Sequence, residues 1–343
     1  MQFDPQILVW LKFLACLIII LFAGTKLARY GDAIAQKTGL GGIWVGLVFL
    51  AFVTSAPELV TGVSSVALIG LPDLGLGTLL GSCLFNLSIL ALLDILHRPG
   101  PILSRASLRL MALAGVGILL IALAAGGILA GEKLPWLALG WVGIPSLIIL
   151  IIYLVAIRQM FHLERKHPLP QPETTSPQYA KISLRTVSLR FILAAIAVIG
   201  AGIWLSLVGD EIAQTTGWGT SFVGSLFLAI ATSLPELVVA TAALRLGAID
   251  MAVADILGAN MLDITHIFAV DLFYTKGPVL SSVSSAHLIT VGVVVLMSLL
   301  VIIGLRFRQK RKTFVVISWY GLALIGLYIL GVYALFTSGI GLR

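Results

Sequence analysis

The sequence predicts an all-α polytopic membrane protein, with ten transmembrane helices arranged as two inverted five-helix repeats and both termini extracytoplasmic. Three observations carry this expectation. Of the 343 residues, 59% are apolar and only 11% charged, and long apolar runs recur along nearly the whole chain. A run of about 20 such residues spans a bilayer, and a helix is the form that satisfies its own backbone polar groups there. The basic residues alternate from one connection to the next, and one 30-residue stretch recurs 178 residues further on.

The spans read as 7–27, 42–69, 73–96, 106–130, 136–158, 187–207, 220–246, 250–275, 284–305 and 314–337. The first apolar run, about Ile7 to Gly24, has no basic residues before it; Lys26 and Arg29 follow it instead. It therefore reads as a retained helix rather than a cleaved signal. Eighteen Lys and Arg residues fall around the connections after the odd-numbered spans, against three (Lys133, Lys276, Arg343) on the other side. The positive-inside rule then places both termini outside. It also accounts for the net charge of +7 without a nucleic-acid partner. The chain divides into a first repeat (1–158), a proline-rich cytoplasmic linker (159–186, containing "HPLPQPETTSPQ") and a second repeat (187–343). Trp10, Trp136 and Trp141 suit interfacial anchors. Cys16 and Cys83 lie in apolar runs and suggest no disulfide framework.

The repeat aligns "GDAIAQKTGLGGIWVGLVFLAFVTSAPELV" (Gly31 to Val60) with "GDEIAQTTGWGTSFVGSLFLAIATSLPELV" (Gly209 to Val238), identical at nineteen of thirty positions. Polar matches such as Asp32/Asp210, Thr54/Thr232 and Glu58/Glu236 exclude shared hydrophobicity as the cause. After a one-residue slip, Asp73 matches Asp250, Asn86 matches Asp263 and Asp94 matches Asp271. Five spans per half is an odd number, so the second copy enters the membrane the other way up. Inverted repeats meeting at broken helices build many secondary transporters, with the site near the midplane.

Each copy sets a proline and a glutamate inside a span. Pro57 and Pro235 have no N–H to give the carbonyls of Val53 and Ala231, and free carbonyls persist at membrane depth only where they line a cavity. Beside them stand Thr54, Ser55 and Glu58 in one half and Thr232, Ser233 and Glu236 in the other. The following spans add Thr78, Ser82 and Asn86 at four-residue spacing, matched by Asp255, Ala259 and Asp263. Residues four apart share a helix face. Carboxylates, hydroxyls, amide and carbonyls are hard ligands suited to Ca²⁺ or Na⁺. There is no cysteine–histidine set for zinc or copper, and Mg²⁺ prefers to keep several waters. A buried carboxylate costs at least about 2.5–3.5 kcal/mol on insertion scales, so three or four on one site call for a cation. Asp255 reads equally as a ligand or as a structural acid at the cavity edge, and His266 suits a satisfied intramembrane histidine better than a proton carrier.

These motifs resemble those of the cation/calcium exchanger superfamily, in particular its sodium/calcium exchanger branch: "VTSAPE" with "GTLLGSCLFN", and "ATSLPE" with "ADILGANMLD". The resemblance covers nearly the whole chain. It implies a secondary active antiporter, not an enzyme, in a cell (inner or plasma) membrane, with no cofactor and with Ca²⁺ and Na⁺ as transported ions. It further implies that Glu58 and Glu236 hold the central Ca²⁺, with carbonyls near Thr54 and Thr232. Ser55, Ser82, Thr54, Thr232 and Ser233 would hold flanking Na⁺, while Asn86 and Asp263 complete the middle. Transport would be alternating access, the first and sixth spans sliding against the rest. Ala259 stands where the family has a hydroxyl, and Cys83 and Asp255 replace asparagines. That change is the reason a Ca²⁺/H⁺ antiporter is the alternative expectation. An aspartyl protease using Asp255 and Asp263 leaves the Pro-Glu repeat unexplained, and a passive channel would need no counter-ion.

Overall fold

The computed structural model describes residues 5–37, 51–131, 138–166 and 182–340. The start of the expected second span (42–50), Lys133 and Trp136, most of the linker (167–181) and Arg343 lie outside the described residues.

The fold is helical: α1 (Pro5–Lys37), α2 (Ala56–Ile69), α3 (Pro72–Leu96), α4 (Leu110–Gly131), α5 (Ile144–Lys166), α6 (Leu184–Thr216), α7 (Thr220–Thr232 and Leu234–Arg245), α8 (Ile249–Phe273), α9 (His287–Arg306) and α10 (Trp319–Ile340). Eight of these are long and apolar enough to cross a membrane, and the two pieces of α7 add a span bent by 44°. A helical stretch, residues 51–54, precedes α2 and is separated from it by the break at Ser55.

Several boundaries differ from the sequence expectation. α1 and α6 each run on for a further turn or more, to Lys37 and Thr216. Their polar ends still complete the helical ladder, and Thr25 and Thr216 return hydroxyl bonds to the carbonyls of Leu21 and Ile212. In the expected fifth span the helix starts later than hydropathy suggests. A two-stranded antiparallel hairpin, β1 (Ala138–Leu139) with β2 (Val142–Gly143), comes first, and the helix begins at Ile144. α2 ends, and the first piece of α7 is interrupted, in single π-turns at Ser65–Ile69 and Gly224–Leu228. Such turns are frequent at functional sites.

α3 and α8 form the centre. They cross each other and bury a continuous apolar core with α4, α9 and α10. α1 and α6 pack antiparallel along one side, through Phe13, Cys16 and Ile20 of α1 and Leu205, Val208 and Ile212 of α6. Lys12 and Glu211 form an ion pair at 2.7 Å between these two helices.

Four repeated aspartates tie helix ends to neighbours. Asp73 and Asp250 do not occupy the capping positions of their own helices, which are Leu71 and Ala248. Each sits inside its helix's first turn, after the capping position, and reaches a distant segment of the chain instead. Asp73 accepts from the Ser284 N–H at 2.7 Å and meets His287 Nε2 at 3.0 Å; Asp250 accepts from the Ser107 N–H at 2.6 Å. Asp94 accepts from the N–H groups of Ile102 (2.9 Å) and Ser318 (2.7 Å) and from the Tyr320 hydroxyl (2.8 Å). Asp271 accepts from the N–H groups of Val279 (2.6 Å) and Gly143 (2.7 Å) and from the Ser146 hydroxyl. In both halves the first of these donors lies eight residues beyond the acid. Asp94→Ala strands these buried donors, each at a cost of about 1–3 kcal/mol. Thermal unfolding in detergent then gives a lower Tm than the parent; an unchanged Tm contradicts the role.

Candidate functional site

The site is built at the two breaks. Ser55 (φ −82°, ψ 11°) and Ser233 (φ −86°, ψ 8°) hold nearly the same bridge-region backbone, a sparsely populated region common among site residues. Pro57 and Pro235 occupy the first turn of the helix that restarts there, where a missing N–H is harmless. The carbonyls of Val53 and Ala231 thereby lose their usual donor, and both residues are buried.

Neither serine caps its own helix. Each hydroxyl crosses to the other repeat instead: Ser55 Oγ donates to Glu236 Oε1 at 3.2 Å, and Ser233 Oγ donates to Glu58 Oε1 at 2.9 Å. This reciprocal exchange brings the two Thr-Ser-x-Pro-Glu motifs face to face. Each glutamate also lies in the first turn of its helix, where the positive end of the helix dipole favours an anion.

α3 and α8 complete the arrangement. Ser82 Oγ lies 3.5 Å from Glu58 Oε1 and 3.4 Å from Thr232 Oγ1. Asn86 Nδ2 donates to Asp263 Oδ2 at 3.4 Å, and Asn260 Nδ2 donates to the Cys83 carbonyl at 3.2 Å. Both are pairs of repeat-matched positions, so they mark the pseudo-two-fold crossing. Thr54 and Thr232 donate back to their own helices, to the carbonyls of Ala51 (3.1 Å) and Leu228 (3.0 Å). Thr54, Ser55, Glu58, Ser82, Asn86, Thr232, Ser233, Glu236, Asp255 and Asp263 are all fully buried.

This interior gathers carboxyl groups without a basic partner. No lysine or arginine is among the described buried residues. Glu58 Oε2, Glu236 Oε2, Asp263 Oδ1 and Asn86 Oδ1 have no hydrogen-bond partner, nor has either oxygen of Asp255. Among the described residues no three histidine, cysteine or acidic side chains gather closely enough to hold a metal unaided. Hydroxyl, amide and carbonyl oxygens are therefore needed in any cation shell here. Asp255 lies within electrostatic reach of Glu236 but hydrogen-bonds to nothing. His266 is buried with both ring nitrogens unpartnered and bonds to none of the carboxylates. The π-turn at Gly224–Leu228, whose backbone packs on Gly77 and Gly81, was not expected. The close Gly77-x-x-x-Gly81 spacing, which permits tight helix approach, is the signal that points to it.

The family model for sodium/calcium exchanger protein matches residues 8–158 and 187–337, one stretch for each repeat and most of the chain. The chain belongs to the sodium/calcium exchanger protein family. Members are transporters, and this exchanger is a multi-pass membrane protein. It is 24% identical to "Uncharacterized membrane protein MJ0091" of Methanocaldococcus jannaschii over 326 residues, 94% of this chain and 96% of that one. It is 26% identical to "Inner membrane protein YrbG" of Escherichia coli over 267 residues, 77% of this chain and 79% of the relative. Among solved structures, the sodium-calcium exchanger NCX_Mj soaked with Na⁺ and Sr²⁺ superposes with a TM-score of 0.62 at 22% identity, covering 95% of this chain and 98% of that one. That likeness establishes the fold.

Proposed function

We propose that this exchanger is a secondary active antiporter that moves Ca²⁺ against Na⁺ by alternating access at the paired-glutamate site. The observation that carries the reading is the reciprocal Ser55–Glu236 and Ser233–Glu58 exchange. It gathers two buried carboxylates, each with one free oxygen, in a site without a basic partner. In this reading Glu58 and Glu236 hold the central Ca²⁺ with the carbonyls of Val53 and Ala231. Asn86 and Asp263 close the middle, and the hydroxyls of Thr54, Ser55, Ser82, Thr232 and Ser233 receive Na⁺. Both ions need the same carboxylates, so one binds as the other leaves.

The packing of α1 and α6 supports the alternating step. A Cβ on Gly24 of α1 would meet Pro235 Cγ at 2.5 Å, and one on Gly202 of α6 would meet Val60 at 3.0 Å and Thr61 at 3.2 Å. Each helix thus runs bare glycine backbone over the opposite repeat's broken helix, where a smooth surface eases sliding. Ten spans with extracytoplasmic termini complete the proposal.

The test is ⁴⁵Ca²⁺ uptake into proteoliposomes under separate Na⁺, K⁺ and H⁺ gradients. An outward Na⁺ gradient drives uptake if the reading holds. Uptake that follows an imposed pH gradient and ignores Na⁺ replaces it with Ca²⁺/H⁺ exchange, which the loss of a hydroxyl at Ala259 favours. Uptake with no counter-ion dependence contradicts both.

A further inference from the structure

The two halves of the site are symmetric in backbone and unequal in chemistry. In the first half, Thr78 satisfies its own hydroxyl by donating to the Leu74 carbonyl at 2.9 Å. One turn on, Ser82 serves Glu58 and Thr232. In the second half the matching positions are Asp255 and Ala259. An ionised aspartate is acceptor-only, so Asp255 cannot fold back on the helix as Thr78 does. Ala259 offers Glu236 no hydroxyl in place of Ser82.

The consequence is a local excess of bare oxygens. Asp255 is fully buried, and both of its carboxylate oxygens lack a partner; Glu236 Oε2 lacks one as well. Asp255, Ala259 and Asp263 recur at four-residue intervals, so Asp255 lies on the same face of α8 as Asp263, about two turns away. It is also within electrostatic reach of Glu236. Ser82, the repeat match of Ala259, lies 3.5 Å from Glu58 Oε1, so the repeat symmetry sets position 259 beside Glu236 and one turn from Asp255. No described lysine or arginine is buried to balance the charge.

We infer that Asp255 and Glu236 together hold an additional monovalent alkali cation on the α8 side of the site. This inference rests on the proposed cation exchange. When all four carboxyl groups (Glu58, Glu236, Asp255, Asp263) are ionised they carry four negative charges, and one divalent ion balances two of them. The remainder calls for monovalent cations, and Asp255 adds one more than a three-acid site would take. Asp255 thereby sets how many monovalent cations exchange for each Ca²⁺, and it has no repeat-matched counterpart acid.

The test uses the full chain in detergent and in proteoliposomes, with NaCl, KCl and choline chloride as probes. Asp255→Asn removes one charge while keeping the shape, and Asp255→Thr copies the residue at position 78. Both variants should lose about one Na⁺ from the cation-dependence of thermal stabilisation, and the steepness of Na⁺-driven ⁴⁵Ca²⁺ uptake should fall by the same step. The reversal potential should shift in the matching direction. A K⁺ dependence that is lost in both variants would assign the position to K⁺ rather than Na⁺. Cation-dependence identical to the parent in both variants overturns the inference, as does a failure of both to fold, which would make Asp255 a packing acid. The stabilisation readout does not require transport. A parent that moves no Ca²⁺ therefore sinks the proposed function while Asp255 is still read directly.

Discussion

Replacing Glu58 by glutamine should abolish Ca²⁺ transport, with uptake falling by more than the roughly 10–100-fold typical of an outer-shell metal partner. Glutamine keeps the volume and can still accept from Ser233, which donates to Glu58 at 2.9 Å. What it removes is the charge, and with it the free oxygen that the buried site offers a cation. By the repeat symmetry Glu236→Gln should fail in the same way, since Ser55 donates to it as Ser233 does to Glu58. The measurement is ⁴⁵Ca²⁺ flux normalised to folded protein. Because a buried carboxylate is expensive, the glutamine variants should fold at least as stably as the parent without added cation. Near-parental flux in either variant would remove the glutamates from the site.

The second large effect is steric. A Cβ placed on Gly81 would lie 2.3 Å from the Ser225 carbonyl oxygen, 2.4 Å from its Cα and 2.7 Å from its carbonyl carbon. All three atoms are backbone, so no rotamer change relieves the clash. Overpacking a tight interior costs about 1–3 kcal/mol and sometimes more, and here α3 must move away from the π-turn of α7. Gly81→Ala should therefore lower Tm in detergent by far more than Gly115→Ala, whose Cβ meets nothing within 4 Å. The displaced α3 also carries Ser82 and Asn86, so residual folded protein should transport poorly. Equal melting of the two variants would contradict the packing.

The parts of this architecture legible from sequence are those that membrane physics makes costly. A proline and a glutamate inside an apolar span demand an explanation, and finding them twice, 178 residues apart, gives both the repeat and the residues that the structure brings together. Asn86 and Asp263 follow from the same repeat after its one-residue slip, 177 residues apart. The rest depended on tertiary partners. Nothing in the order of residues around Asp73 shows that its carboxylate crosses to Ser284 rather than capping its own helix. The extension of α1 to Lys37 runs through polar residues that hydropathy reads as a loop, yet the helical ladder continues. The π-turn at Gly224–Leu228 follows from the close approach of Gly77 and Gly81, a contact between halves that a single segment does not reveal. The hairpin before α5 is too short to leave a periodic signal.

The central claim is that a divalent ion sits between the two glutamates contributed by oppositely inserted motifs. Anomalous diffraction from crystals soaked in Sr²⁺ tests it most directly, since strontium substitutes for calcium and marks its own position. One dominant peak is expected between Glu58 and Glu236, bounded by the backbone at Val53 and Ala231, and lost in Glu58→Gln. A peak elsewhere on the chain, or none at saturating Sr²⁺ in crystals of the folded parent, would contradict it.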